Sequence, residues 1–442
     1  MMTATVVLAL AGVTGPVTSP NPAWDDGWTE RESWALTGHV QLTDEAEFLR
    51  AGESYFSPDG NMIIFQATPR PGPTEIADRH YGMYVAPVVW SGGTMTLGDA
   101  KLLSEPGSAN TCGWFHPTAH TDRSYRVLFG STTTPPDEAA ASGYQRGTSR
   151  YIWQFPNEME VVAGTVTLAD RTKRTTFGAS IDGNLMEETT TEVSDVIVLA
   201  GDFDPLWTRD GYDAEASWSP DGRHILYTRL APGSDDGDLW MYDTKTKSHT
   251  PLVTEPGYDG GPFFSPDGKR ICYRSDRRGD KALQLYIADL AFNDAGKVTG
   301  VAREIPVTDN GHVNWAPFFT PDGSILFYAT SEVSHSNYEV YAIDAAGDGP
   351  PDERPRVRIT DARGFDGLPV FTPDGAWMMW TAQRGAQVEG EYRPSSQVWA
   401  ARLDLDAVRG RLDDARDDIR DRLLEERFDE FMPGGDPATT GG

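Results

Sequence analysis

Five copies of one tight turn constrain this chain more than any other feature. Tyr55–Gly60 reads YFSPDG, and the pattern returns as WSPDG at Trp218–Gly222 and FFSPDG at Phe263–Gly268. It returns again as FFTPDG at Phe318–Gly323 and FTPDG at Phe371–Gly375, with a degenerate copy, GWFHPTAH, at Gly113–His120. Each copy is followed by an apolar run: MIIF, RVLF, HILY, RICY, SILF or WMMW. Within the turn, proline fixes φ near about −65° and glycine supplies the left-handed exit that returns the chain antiparallel. Aromatic and apolar strands on both sides make a hairpin. A lone hairpin is barely stable, so its repetition requires neighbours that share a core.

The turns recur every 46–59 residues, except for a 103-residue step from the degenerate copy to the next. That step holds strand signal for finishing one repeat, with EMEVVAGTVTL (Glu158–Leu168) and DVIVLA (Asp195–Ala200) as third and fourth strands. Thr132–Arg150 and Arg171–Glu192 read as polar insertions, and a hidden seventh repeat is the alternative. Repeats of four short strands mean a β-propeller. The predicted fold is all-β, a six-bladed β-propeller over residues 38–405, with seven blades as the alternative count. The last repeat supplies only three strands, while GHVQLTD (Gly38–Asp44) matches the end of a repeat yet precedes the first. It is expected to give the last blade its outer strand and so close the ring.

These SPDG repeats resemble the WD40-like repeats in the propeller of the TolB family, which serves the Tol–Pal envelope system. They also resemble the propellers that precede hydrolase domains in prolyl-oligopeptidase-like enzymes. The resemblance covers about residues 38–405 and implies a fold more than a function, because many proteins use this repeat. TolB carries an α/β domain before its propeller, whereas about 50 residues precede the first motif here. The envelope role is therefore not carried over. No GxSxG nucleophile elbow occurs, which removes the peptidase reading.

The ends read differently. Val6–Val13 (VVLALAGV) is too short to span a bilayer but suits the core of a secretory signal, so residues 1–20 are read as an export segment. A periplasmic or otherwise exported protein follows, the alternative being a cytoplasmic one with an N-terminal extension. After Leu405, apolar residues at Val408, Leu412, Ala415, Ile419 and Leu423 step by three and four, predicting an amphipathic helix over 406–432. Docking on the propeller flank is its plain role, and self-association along a coiled-coil-like seam the sharper one. Residues 433–442 read as a disordered tail.

Charge narrows the partners. With 38 basic and 67 acidic residues the chain carries −29, which repels phosphate backbones and anionic lipid. Nucleic-acid and membrane-surface binding are excluded on this basis, and membrane insertion because no segment approaches 18 apolar residues. The two cysteines, Cys112 and Cys272, belong to no CxxC or Cys/His cluster and read as buried free thiols.

In a propeller, the segments leading into the inner strands gather at one mouth of the central channel. Here they carry Glu53, Asn110, Asp213, Glu215, Asp259, His312, Asn314 and Asp366. Loops between second and third strands add Arg277, Arg278, His335, Asn337, Gln383 and Arg384, and Gln397 opens the last third strand beside them. Such a ring can bind a ligand or a divalent cation. Oxygen-rich sites suit Ca²⁺ or Mg²⁺, an added imidazole suits Mn²⁺, and Asp259, His312 and Asp366 are the metal candidates. The competing reading is that these Asp and Asn residues cap turns. No cofactor other than such a cation is indicated, and no catalytic residue. The expected function is a non-catalytic binding or scaffold module for a protein or saccharide. The alternative is a metal-assisted lyase or hydrolase acting on a saccharide at the mouth.

Overall fold

The computed structural model describes residues 27–431, except 73, 122, 137–142, 146–149, 153–155, 182–183, 348 and 388–392. The export segment (1–20) and the tail (433–442) read from the sequence lie outside the described residues.

The turn motif builds itself from local hydrogen bonds. In all five clean copies the Ser or Thr hydroxyl donates to the Asp carboxylate two residues on, at 2.5–2.6 Å. The same oxygen accepts the backbone N–H of Met62, His224, Arg270, Ile325 or Trp377, five residues on. The glycines sit at φ 68–72°. The turns also pack on one another around the ring. A Cβ on Gly60, Gly268, Gly323 or Gly375 would lie 3.3–3.6 Å from the proline of the turn one blade back. Gly268→Ala is therefore expected to lower stability in urea unfolding by about 1–2 kcal/mol, the usual cost of a left-handed L-residue. An unchanged midpoint would show that the turn tolerates a side chain.

Six blades follow. Blade 1 is Phe48–Phe56, Met62–Pro69, Gly82–Ser91 and Lys101–Leu102, and blade 2 is Asn110–Thr121, Ser124–Ser131, Glu160–Ile181 and Asn184–Leu199. Blade 3 is Tyr212–Trp218, His224–Leu230, Gly237–Asp243 and Ser248–Val253, and blade 4 is Asp259–Phe264, Arg270–Ser275, Gln284–Phe292 and Val298–Pro306. Blade 5 is Asn314–Phe319, Ile325–Ser334, Asn337–Asp344 and Arg356–Arg358. Blade 6 takes Asp366–Phe371, Trp377–Ala382 and Gln397–Leu403 from the end of the chain and Leu36–Gln41 from its start, with Leu36 opposite Leu403 and Val40 opposite Ala400. Every second strand places a large ring at the same position: Phe65, Phe129, Tyr227, Tyr273, Tyr328 and Trp380 are each less than 2% exposed. These rings fill the space between blades.

Among the described residues the 103-residue step contains no seventh blade. The third and fourth strands of blade 2 stay paired far past the blade, from Val166 opposite Leu199 to Ile181 opposite Asn184. The stretch Arg171–Glu192, read as an insertion, therefore continues both strands of one hairpin. Its threonines favour an extended backbone even where no third strand supports them.

The helix Leu405–Phe431 docks by its first half. Val408 and Leu412 are buried, Arg409 and Arg416 reach Asp322 and Asp344 of blade 5 at 2.7 and 2.8 Å, and Arg411 lies over Trp34. No helix among the described residues is long and apolar enough to cross a membrane.

Candidate functional site

Each inner strand breaks register four residues before the Ser, Thr or His that opens its turn. The break puts Glu53, Cys112, Glu215, Gly261, Ala316 and Leu368 at φ 45–59°. Such a bulge re-aims its residue. Five of the six are not glycine, so the strain of about 1–3 kcal/mol each is held by the surrounding sheet. Because the bulge recurs in every blade it belongs to the fold, and only the side chain it presents distinguishes one blade from another. Blades 1 to 3 present Glu53, Cys112 and Glu215, whereas blades 4 to 6 present nothing polar.

Two residues nearer the turn, four blades present aromatics that meet across the axis. Tyr55, Trp114, Phe263 and Phe318 have ring centroids 5.0–6.3 Å apart, with Tyr55 of blade 1 reaching Phe263 of blade 4 at 5.5 Å. This plug is the floor of the polar layer above it.

In that layer Glu53 Oε1 accepts from the Cys112 thiol at 2.7 Å and from the Tyr55 hydroxyl at 3.5 Å, and Oε2 accepts from Thr111 at 3.4 Å. Glu215 accepts from Tyr258 (2.6 Å), the Gly261 N–H (2.6 Å), Thr228 (2.9 Å) and Arg274 (3.1 Å). Gly261 is required here, since a Cβ would stand 2.6 Å from the Arg274 guanidinium. Burial pushes the Glu53 carboxyl up, only partly offset by Cys112, and the charge of Glu215 adds to it. Burial and both carboxylates likewise push the Cys112 thiol up, so it is a neutral donor and not a nucleophile. Glu53, Thr111, Cys112 and Leu368 are half-buried and so remain within reach of solvent. Cys112 thus departs from the expected core thiol, whereas Cys272 is buried as a free thiol.

The other candidates from the sequence are placed differently. Asn110, Asp213, Asp259, Asn314 and Asp366 share one position, six residues before the turn, and all are buried. Asp213 is held by Trp207, Arg209 and Arg229 at 2.7–3.0 Å. Asp259 is held by Arg277 at 3.0 Å, yet burial still pushes it up to about 6. Asp366 is held by Arg384 and Trp380 at 2.7–2.9 Å. Asn110 donates to the carbonyls of Tyr81 and Ser108, and Asn314 to Gln284 and Asn310. Gln397 bridges Thr43 and the Phe48 carbonyl, and Gln383 donates to Ser396. Asn337 joins Glu339 to the Gly364 N–H. Arg278 pairs with Asp280 and Asp309, while His312 and His335 are exposed. Among the described residues no three His, Cys, Asp or Glu side chains are grouped to hold a metal ion. The metal candidates Asp259, His312 and Asp366 belong to three different blade segments and are not brought together.

Three participants carried no motif. Arg274 stands where the other blades have Gln66, Gly130, Thr228, Ala329 and Thr381, so it is an outlier at a repeat position. Tyr258 precedes an expected site residue. Glu32 lies in the short helix Trp28–Glu32, outside the repeats, and grips Arg384 through both oxygens at 2.7 and 2.8 Å.

No family model matches the chain. Solved structures similar to it include TolB structures and other β-propellers. TolB from Acinetobacter baumannii is 16% identical over 82% of this chain, with a TM-score of 0.37, and the match spans 65% of the length of that protein. A putative TolB from Agrobacterium tumefaciens is 14% identical over 80% of this chain and 90% of its own, with a TM-score of 0.41. The β-propeller domain of Cps50 (Swd1) from Myceliophteria thermophila is 12% identical over 83% of this chain and 98% of its own, with a TM-score of 0.42.

Proposed function

We propose that this propeller is a non-catalytic binding module that takes its protein or saccharide ligand at the channel mouth. The observation that carries the reading is the asymmetry of the bulge ring. Glu53, Cys112 and Glu215 make one polar wall, Gly261, Ala316 and Leu368 make a facing wall without polar side chains, and aromatic rings close the floor. A ligand with one hydrogen-bonding face and one apolar face is oriented by such a pair of walls. The carboxylates outside this layer are already committed to arginines and serve the blades. Export follows from the Val6–Val13 run alone.

The test uses Leu368→Trp, which narrows the channel at a residue already in left-handed backbone. Wild type and variant are screened against arrayed glycans and a peptide library. Ligands of the wild type should bind the variant at least tenfold more weakly. Ligands that bind both equally would move the site to the blade rims and end the channel reading.

A further inference from the structure

We infer that the channel binds an alkylammonium group, with the Glu53 carboxylate meeting its charge and the aromatic floor meeting its face. This rests on the channel being the ligand site and names the chemical class of what enters it.

The fully buried carboxylates around the ring have cations of their own. Asp213 has Arg209 and Arg229, Glu215 has Arg274, and Asp259 has Arg277. Glu339 has Arg358, and Glu32 and Asp366 share Arg384. Glu53 has no Lys, Arg or His within 4.0 Å among the described residues, and its three side-chain donors are a thiol and two hydroxyls. A half-buried carboxylate without a cation has lost part of its hydration with no charge to replace it. The fold does not require one there, since the equivalent position is glycine, alanine or leucine in three blades.

What surrounds Glu53 fits a compact organic cation. Tyr55 reaches Glu53 through its hydroxyl and is packed against the half-buried rings of Trp114, Phe263 and Phe318, and electron-rich ring faces attract a cation within about 6 Å. Thr111 offers a second oxygen beside the carboxylate. Ala316 and Leu368 add no competing donor. With Glu215 and Arg274 already paired, the layer holds two carboxylates and one guanidinium, so ionised Glu53 leaves one negative charge to be met. A Ca²⁺ ion takes six to eight oxygens, more than this layer offers. An ammonium needs only a carboxylate, a hydroxyl and a ring face. Such a group arrives either as a free amine or at the end of a lysine side chain.

The test is isothermal titration of the full chain with putrescine, with Nα-acetyl-lysine methylamide, and with the neutral Nα-acetyl-norleucine methylamide. At least one ammonium probe should bind tenfold or more tightly than the norleucine probe, and Glu53→Gln should abolish that difference. A tighter putrescine assigns the site to free amines, and a tighter lysine probe to a partner's side chain. Affinity should rise with pH through the titration of Glu53, whose charged and titratable neighbours are Cys112, Tyr55, Tyr81, Glu215 and Arg274. Glu53→Gln keeps the hydrogen-bonding shape and should melt at or above the wild-type temperature, so lost binding cannot be lost folding. Ammonium probes no tighter than norleucine, or a preference that survives Glu53→Gln, would overturn the inference. If all probes bind alike and Leu368→Trp weakens them, the channel remains the site and only the ligand class falls. If Leu368→Trp changes nothing, both fall.

Discussion

Replacing Arg384 with methionine is expected to lower the stability of the protein by about 3–5 kcal/mol at pH 7, the cost of leaving buried carboxylates without their cation. Arg384 is 2% exposed and grips Glu32 and Asp366 together, with Trp28 and Trp380 against its faces at 4.4 and 5.2 Å. Methionine fills much of the volume but none of the charge. The pH dependence separates this cause from a packing defect. Burial opposes ionisation of Glu32, but Arg384, His39 and the Asp361 N–H outweigh it and hold the carboxyl at about 2. Its stabilising contribution in the wild type is thus complete above the ordinary carboxylate range and lost as pH falls toward 2. In the variant Glu32 keeps only His39, and Asp366, already raised by burial in the wild type, loses the Arg384 charge that opposes this, so both folded values move up. Such groups favour the folded state at low pH and oppose it as pH climbs. The difference between wild type and variant, read by denaturant unfolding, should be largest near pH 7 and shrink toward pH 4. A difference that stays constant with pH would mean lost packing instead.

The parts of this fold legible in the sequence were those decided within a few residues. Ser265, Asp267 and Gly268 satisfy one another whatever the rest of the chain does, so the turn reads directly, and five copies count blades. The strand pairing of the blade 2 hairpin was less legible. Thr-rich RTTF and ETTTEV have the propensity for strand but no apolar alternation, and polarity made them read as an insertion. The helix could be placed because Val408 and Leu412 keep its period, and the structure buries both.

The candidate site was legible as positions and not as partnerships. Asp259 and Asp366 could be placed at the start of inner strands, but whether such a carboxylate faces a ligand or an arginine depends on a residue elsewhere. One signal was available, because Arg277 follows Asp259 and Arg384 follows Asp366 by the same 18 residues. A spacing repeated in two blades marks a device of the fold, and it removes both carboxylates from the list of free ligands. Aligning the repeats on their turns would also have placed Cys112 level with Glu53 and Glu215, and shown Arg274 as the outlier of its column. Glu32 had no such signal, since it belongs to no repeat and meets Arg384 only when the ring closes.

That closure predicts the largest effect of all. A chain beginning at Thr43 should lose its folded monomer altogether. It would lack Leu36–Gln41, leaving the edge of Gln397–Leu403 unpaired where Leu36, Thr37, Val40 and Gln41 now lie opposite it. It would also lack Trp28 and Leu36, 3% and 0% exposed in the cluster that contains Trp380 and Trp399. Losing buried side chains of that size removes about 2–5 kcal/mol each. Arg384 would lose Glu32 at the same time. The total is comparable with the whole stability of an ordinary domain, about 5–15 kcal/mol. A bare, largely buried edge strand is also a template for pairing between chains. Size-exclusion chromatography should therefore show aggregate, and circular dichroism no cooperative melt. Because the missing strand is held by hydrogen bonds and packing and not by chain continuity, a peptide of residues 27–42 added in trans should restore the melt. A truncated chain that melts cooperatively near the full-length temperature would show that the contacts between blades hold the ring without its closing strand.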